Sequence, residues 1–291
     1  MCPASYGVQE TGCAGKTVSP LSWNEMLARA VLRGVVGASA GAIAIGSGHA
    51  DCAWPFAAKK RRRIAIYGGA FDPPTNGHLT ACAELIHGRV VDEVWLCPCG
   101  PRPDKPAMRT PAVDRYVMCE LAVNTRFGAS FPVLVKDAET FRGRAMYTYD
   151  LLCALRAAHP DCDFAFVVGT DWLQPGTDLR QWTSSDPADP SGRDVIVTGH
   201  RLVEEFDFLV VPRPGYDVPE GGLASFGPRF RWVTPARGFN LIEPGNVSSS
   251  ELRKRMSQEL APEPNRTAPE VLDGHTPPAV VSFIQRRGLY R

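Results

Sequence analysis

Residues 64–78 read Ile-Ala-Ile-Tyr-Gly-Gly-Ala-Phe-Asp-Pro-Pro-Thr-Asn-Gly-His. A short apolar strand runs into the paired glycines Gly68 and Gly69, two prolines stiffen the turn, and Thr75 to His78 opens a helix. Strand, tight loop and helix N-terminus together make an anion site, because free backbone N–H groups and the positive helix end point at whatever sits there. A histidine at that point, His78, faces a phosphate rather than a metal. About 170 residues later, Asn246 to Arg253 forms a second helix start, rich in hydroxyls at Ser248, Ser249 and Ser250, with Arg253 one turn in. Two anion cradles in one chain imply an enzyme that handles a nucleoside triphosphate.

The elements that must position these cradles alternate. Strands are expected at Ile64–Tyr67, Val90–Cys97, Phe131–Val135, Asp163–Val168, Phe206–Val211, Phe230–Val233 and Phe239–Ile242. Helices are expected at Gly77–His87, Ala112–Thr125, Thr148–Ala158, Ser248–Met256 and Pro277–Arg286, the second carrying Val113, Tyr116, Val117, Leu121 and Ala122 at helical spacing. Asp194–Val197 reads as a short helix or strand. The near-continuous apolar run ending at Val168 suits a strand covered on both faces. Such alternation implies an α/β, Rossmann-like, mostly parallel sheet with helices on both faces. Ligands gather outside the C-terminal ends of such strands, where Gly69 to His78, Pro98 to Lys105, Gly169 to Asp171 and Pro212 to Tyr216 all fall.

The 291 residues suffice for a substantial core, and 32 basic against 31 acidic residues leave a formal charge of +1. Only Lys59 to Arg63 approaches a basic stripe, so nucleic acid is not an expected partner. That cluster reads as a solvated lead-in to the first strand or as a nuclear signal, in a chain otherwise expected in the cytoplasm. Nine cysteines without repeated spacing do not form a secreted disulfide framework. Cys97-Pro98-Cys99 is one residue short of the usual metal or redox pair and reads as strand-end thiols, so no protein-built metal site is expected.

Residues 1–60 differ from the rest and read as a variable extension. The Met26–Gly48 stretch has the length of a membrane span, but Arg29, Arg33 and several glycines argue against one, and few arginines argue against a mitochondrial presequence. Residues 61–291 then form the catalytic domain, with a surface insertion near 184–192 and a linker near 260–269.

The segment Gly69-Ala70-Phe71-Asp72-Pro73-Pro74-Thr75-Asn76-Gly77-His78 resembles the signature of the HxGH-type nucleotidyltransferases, with Thr75 where many relatives carry a first histidine. Cys97 to Lys105, Arg115, Met118, Met146 to Asp150, Gly169 to Asp171, Trp182, Val210 to Tyr216, Val247 to Arg253 and the end near Tyr290 extend the likeness to the nicotinamide/nicotinate mononucleotide adenylyltransferases. The resemblance implies attack of a mononucleotide 5′-phosphate on the α-phosphorus of ATP, with release of pyrophosphate and formation of NAD or deamido-NAD. Mg²⁺ would be held mainly by the ATP phosphates. The implied partners are ATP and nicotinamide or nicotinate mononucleotide, without a membrane; a homo-oligomer is left open.

By the same resemblance His78 donates to the transferring phosphoryl group, and Lys105 meets the phosphates as they come together. Gly69, Ala70 and Phe71 let the backbone approach the triphosphate. Ser248 and Ser249 face its far end, with Arg253 as a charged clamp. Thr75 bonds a phosphate or caps the helix, and a capping box with Glu251 is the plainer reading of Ser248. Gly169 and Asp171 belong on the adenylate side, Asp171 accepting from ribose hydroxyls or capping a helix. Tyr147, Thr148, Trp182 and Arg213 belong on the pyridine side, with Trp182 stacked on the ring or buried in the core. Thr148 could serve either an amide or an acid, so use of both acceptors is expected. The competing readings are transfer to another small phosphate such as phosphopantetheine, and a nucleotide-binding protein without turnover.

Overall fold

The computed structural model describes residues 60–102, 108–142, 146–189, 194–213, 215–217, 222–233, 247–257 and 268–290. Lys105, the Phe239–Ile242 strand, residues 260–267 of the expected linker and all of the extension before Lys60 lie outside them. Within them the order is β1 (Arg62–Gly69), α1 (Asn76–His87), β2 (Glu93–Pro98), α2 (Ala112–Arg126), β3 (Val133–Val135), α3 (Thr148–Ala158) and β4 (Cys162–Gly169). Then follow β5 (Thr183–Ser185), β6 (Val195–Val197), α4 (Gly199–Glu205), β7 (Asp207–Val211), β8 (Phe230–Trp232), α5 (Ser249–Met256), α6 (Ala268–Leu272) and α7 (Pro278–Arg287).

Six strands form one parallel sheet in the order β3-β2-β1-β4-β7-β8. The pleat sends alternate side chains to opposite faces. Ala65, Val94, Val167 and Leu209 pack with Leu79, Met118 and Val280 on one side. Ile64, Ile66, Phe166 and Phe208 pack with Leu152, Leu202 and Phe206 on the other. The architecture is the Rossmann-like α/β sheet expected from the alternation. Chain order reverses between β1 and β4, and the C-terminal ends of that adjacent pair open the crevice in which such sheets bind ligands.

The structure differs from the sequence reading in a few places. Ser184 and Ser185, read as the start of a surface insertion, lie in β5, which pairs antiparallel with β6. Ser184 is 2% exposed, and the Ser185 N–H donates to Asp150 at 3.1 Å. Their turn-like composition is overridden by pairing. Helix α4 went unread because seven residues are too few to display a period. The backbone of Ala268 and Pro269, read as linker, belongs to α6. Among the described residues no helix is long and apolar enough to cross a membrane.

Helix α4 starts where the chain passes close to an earlier turn. The Gly199 N–H donates to the Trp182 carbonyl at 2.8 Å. A Cβ at Gly199 would stand 2.0 Å from the Leu179 carbonyl oxygen and 2.5 Å from the Arg180 carbonyl carbon. Both are backbone atoms, so the chain itself would have to move. Gly199→Ala is therefore expected to cost about 1–3 kcal/mol, as overpacking does. Urea denaturation of the two proteins measures it, and an unchanged midpoint would refute the close approach.

Candidate active site

The cleft at the ends of β1 and β4 measures about 950 Å³. Its floor is the β1–α1 turn. A Cβ at Gly68 would meet the Phe166 ring at 3.1 Å, and one at Gly69 the Phe71 ring at 3.1 Å, so the two glycines let the chain pass between aromatic rings. Phe71 sits at φ +47° and packs edge-on against His78, with ring centroids 5.1 Å apart. Tyr67 closes the other side of the imidazole at 5.9 Å.

Thr75 is the N-cap of α1. Its backbone N–H donates to His78 Nδ1 at 2.9 Å, and its hydroxyl lies 2.9 Å from the same nitrogen. A peptide N–H can only donate, so Nδ1 is the acceptor and the ring proton of neutral His78 belongs on Nε2. Removal from water, and then the Arg213 charge, lower the His78 pKa to about 4. At neutral pH the ring is therefore an uncharged Nε2–H donor lining the cleft. Thr75 thus occupies the capping position, with its hydroxyl turned to the imidazole.

The next residues are fastened from the far end of the chain. The Arg253 guanidinium donates to the Asp72 carbonyl, the Ser249 hydroxyl to the Pro73 carbonyl at 2.7 Å, and the Thr276 hydroxyl to the Pro74 carbonyl. The Asn76 N–H donates to His275 at 2.8 Å, and its side chain to Gly274 at 2.9 Å. The Tyr290 hydroxyl donates to the carboxylate of Asp72, a residue 1% exposed. Ser249 and Arg253 thus hold the cradle from behind in this structure, whereas Ser248 lines the cleft and caps α5, accepting from the Glu251 N–H at 3.1 Å.

The other walls gather most of the remaining candidates. Gly69, Ala70, Phe71, Tyr147, Thr148, Gly169, Asp171, Trp182 and Arg213 all line the cleft. Asp171 does not cap the short turn it sits in; Gly169 does. Its carboxylate instead accepts from Arg213 at 2.6 Å. A Cβ at Gly169 would stand 2.2 Å from Asp171 Oδ1, so a side chain there would displace the carboxylate that pairs with Arg213. Trp182 meets Trp172 edge-on at 5.0 Å. The position of Lys105 lies outside the described residues.

Two charged residues went without a role at the sequence level. Arg115, 1% exposed, donates to the carbonyls of Ala70, Cys99, Gly100 and Thr110. Glu139, 5% exposed, lines the cleft and accepts from the Gly100 N–H at 3.2 Å. Arg115 carried a legible signal: it shares a helix face with buried Met118, Cys119 and Ala122, where a charge is out of place unless fully bonded. Glu139 carried none, since it lies in an irregular segment.

Comparison with known proteins identifies the family. The family profile described as Cytidylyltransferase-like matches residues 66–255. A Bacillus cytotoxicus protein named "Probable nicotinate-nucleotide adenylyltransferase" is 32% identical over 231 residues, covering 79% of this chain and 98% of its own. A Mycolicibacterium vanbaalenii protein of the same name is 30% identical over 238 residues, covering 80% and 94%. The solved structure of Plasmodium falciparum nicotinic acid mononucleotide adenylyltransferase complexed with NaAD shares the fold, with a TM-score of 0.59, 24% identity, and 79% and 97% of the two chains covered. The chain belongs to the cytidylyltransferase-like family of nucleotidyltransferases, among its nicotinate-nucleotide-adenylyltransferase-like members.

Proposed function

We propose that this protein transfers the adenylyl group of ATP to nicotinate mononucleotide and nicotinamide mononucleotide, yielding deamido-NAD or NAD and pyrophosphate. The observation that carries the reading is the neutral Nε2–H donor of His78, held in a glycine-lined cradle at the switch point of the sheet. The names of the two relatives support the acceptor, and nicotinate mononucleotide is the first to try on that ground.

The chemistry needs no strong base. An oxygen of the acceptor 5′-phosphate, already ionised near neutrality, attacks the α-phosphorus, and the bond to the bridging oxygen of pyrophosphate breaks. The task is to bring anions together and hold the charge that gathers on the α-phosphoryl oxygens. A neutral hydrogen-bond donor does this without surrendering its proton to the leaving group. Mg²⁺ would enter on the ATP triphosphate and neutralise part of its charge. Asp171 would accept from ribose, Trp182 would stack on the pyridine ring, and the Thr148 hydroxyl would serve either ring substituent. Lys105 would meet the phosphates, and Arg213 adds a cation to the same cleft.

Pyrophosphate release from ATP with each mononucleotide in turn tests the reading. Turnover with neither, but with phosphopantetheine or a cytidylyl acceptor, would overturn it. A kcat/KM ratio between acid and amide beyond about a thousandfold, some 4 kcal/mol of discrimination, would defeat the use of both.

His78→Ala is expected to lower kcat at least about a hundredfold while ATP binding stays within a few-fold, since the contact tightens as charge develops. Equal losses in binding and turnover, seen by calorimetry and steady-state rates, would make the imidazole a ground-state ligand. Arg253→Ala should lose both together, by about ten- to a hundredfold, because it frees the Asp72 carbonyl and removes the cation that braces the phosphate cradle. Unaltered ATP affinity and turnover in the folded variant would leave Arg253 without a role in the cradle.

A further inference from the structure

Where β2 ends, the chain turns at Cys99 and Gly100 into the loop that carries Arg102. Each backbone polar group of that pair is taken. The Cys99 N–H donates to the Gly69 carbonyl at 2.8 Å. The Arg115 guanidinium donates to the Cys99 carbonyl at 2.7 Å and to the Gly100 carbonyl at 3.1 Å. The Gly100 N–H donates to Glu139. Through its other terminal nitrogen Arg115 also reaches the Ala70 carbonyl, 2.9 Å away, inside the phosphate cradle. One buried guanidinium therefore ties the cradle to the loop opposite, and one buried carboxylate closes the loop from the far side.

We propose that Glu139 and Arg115 are a pair of positioning residues that lock the Cys99–Gly100 segment to Ala70 and so fix where Arg102, which lines the same cleft, meets the substrate. This rests on the phosphoryl-transfer reading of the cleft and extends it to residues that do not themselves react. A guanidinium is suited to the task because its planar fork presents several donors in fixed directions. A lysine could not span the same carbonyls.

The carboxylate side of the lock titrates in the working range. Burial raises the Glu139 pKa to about 7 against the opposing pull of the Gly100 N–H, Arg102, Arg115 and Arg142. The buried Cys97 thiol also lies within its field. Above pH 7 the ionised group makes a charge-assisted bond to Gly100, and below it a weaker neutral one. Stability runs the other way. The folded protein keeps the Glu139 proton to a higher pH than the unfolded chain does, so stability falls as pH rises from about 4.5 to 7. A positioning role and a merely structural role therefore have opposite signs.

The decisive comparison is wild type against Glu139→Gln, which keeps an acceptor for Gly100 but cannot ionise. From pH 6 to pH 8 the wild-type to variant ratio of kcat/KM is expected to rise about fivefold, the gap between a charged and a neutral hydrogen bond. Ionisation of the substrate phosphates cancels in that ratio. Over the same range the wild-type stability should fall relative to the variant. The Gly100 amide resonance should titrate near pH 7 in the wild type and not in the variant. Arg115→Lys should lose at least about tenfold in kcat/KM while remaining folded. A flat ratio with an active wild type, or one that follows stability, would overturn the proposal. Should the wild type turn over neither mononucleotide, the proposed reaction falls, and the Gly100 titration together with MgATP affinity across the same pH range decides the lock: both moving supports it, and either one flat overturns it.

Discussion

The bonds that cross from the last fifty residues to Asp72–Asn76 are what the rest of the site depends on. A strand-to-helix turn carrying two prolines leaves its carbonyls without partners inside the turn, and buried carbonyls are costly when unpaired. Arg253, Ser249 and Thr276 supply donors to three successive carbonyls, and Tyr290 supplies one to the Asp72 side chain. With the turn held from behind, the Thr75 N–H points at the imidazole, and the proton of His78 is directed to the other nitrogen. The turn proposed to bind phosphate is thus held by elements separated from it by nearly the whole folded domain.

Electrostatics follow from that placement. His78 is walled by Tyr67 and Phe71, and the Arg213 charge stands near enough to oppose protonation. Among the described residues the cations lining the cleft are arginines, which stay charged at any working pH. In the proposed reaction the labour would divide: arginines would hold charge already present on the substrates, and a neutral imidazole would meet charge as it forms. The Asp171–Arg213 pair keeps one of those cations from swinging freely across the opening.

The sheet and the cradle were legible because both are local patterns. Alternating apolar runs marked the strands of the parallel sheet, and Gly68-Gly69 followed by Thr75 to His78 marked the turn and the helix start. Helix α4 and strand β5 were not, since each is too short for its period to stand out, and β6 could be read only as a short helix or strand. The site divides along the same line. Thr75 as cap and His78 in the cleft could be read in place. That Ser249 and Arg253 would spend their donors on Pro73 and Asp72 could not, because such partners lie some 180 residues away in sequence. Glu139 was invisible for the same reason: its meaning lies wholly in the Gly100 amide it meets.

A neutral, Nε2-protonated His78 is the state from which the proposed chemistry starts, and long-range ¹H–¹⁵N correlation of the imidazole nitrogens over a pH titration observes it directly. The expected result is an unprotonated Nδ1 and a protonated Nε2 from neutral pH down to about 4, with the change to imidazolium centred there. A proton on Nδ1 at neutrality, or a titration near the ordinary histidine value of about 6.5, would contradict both the Thr75–His78 hydrogen bond and the neutral-donor mechanism.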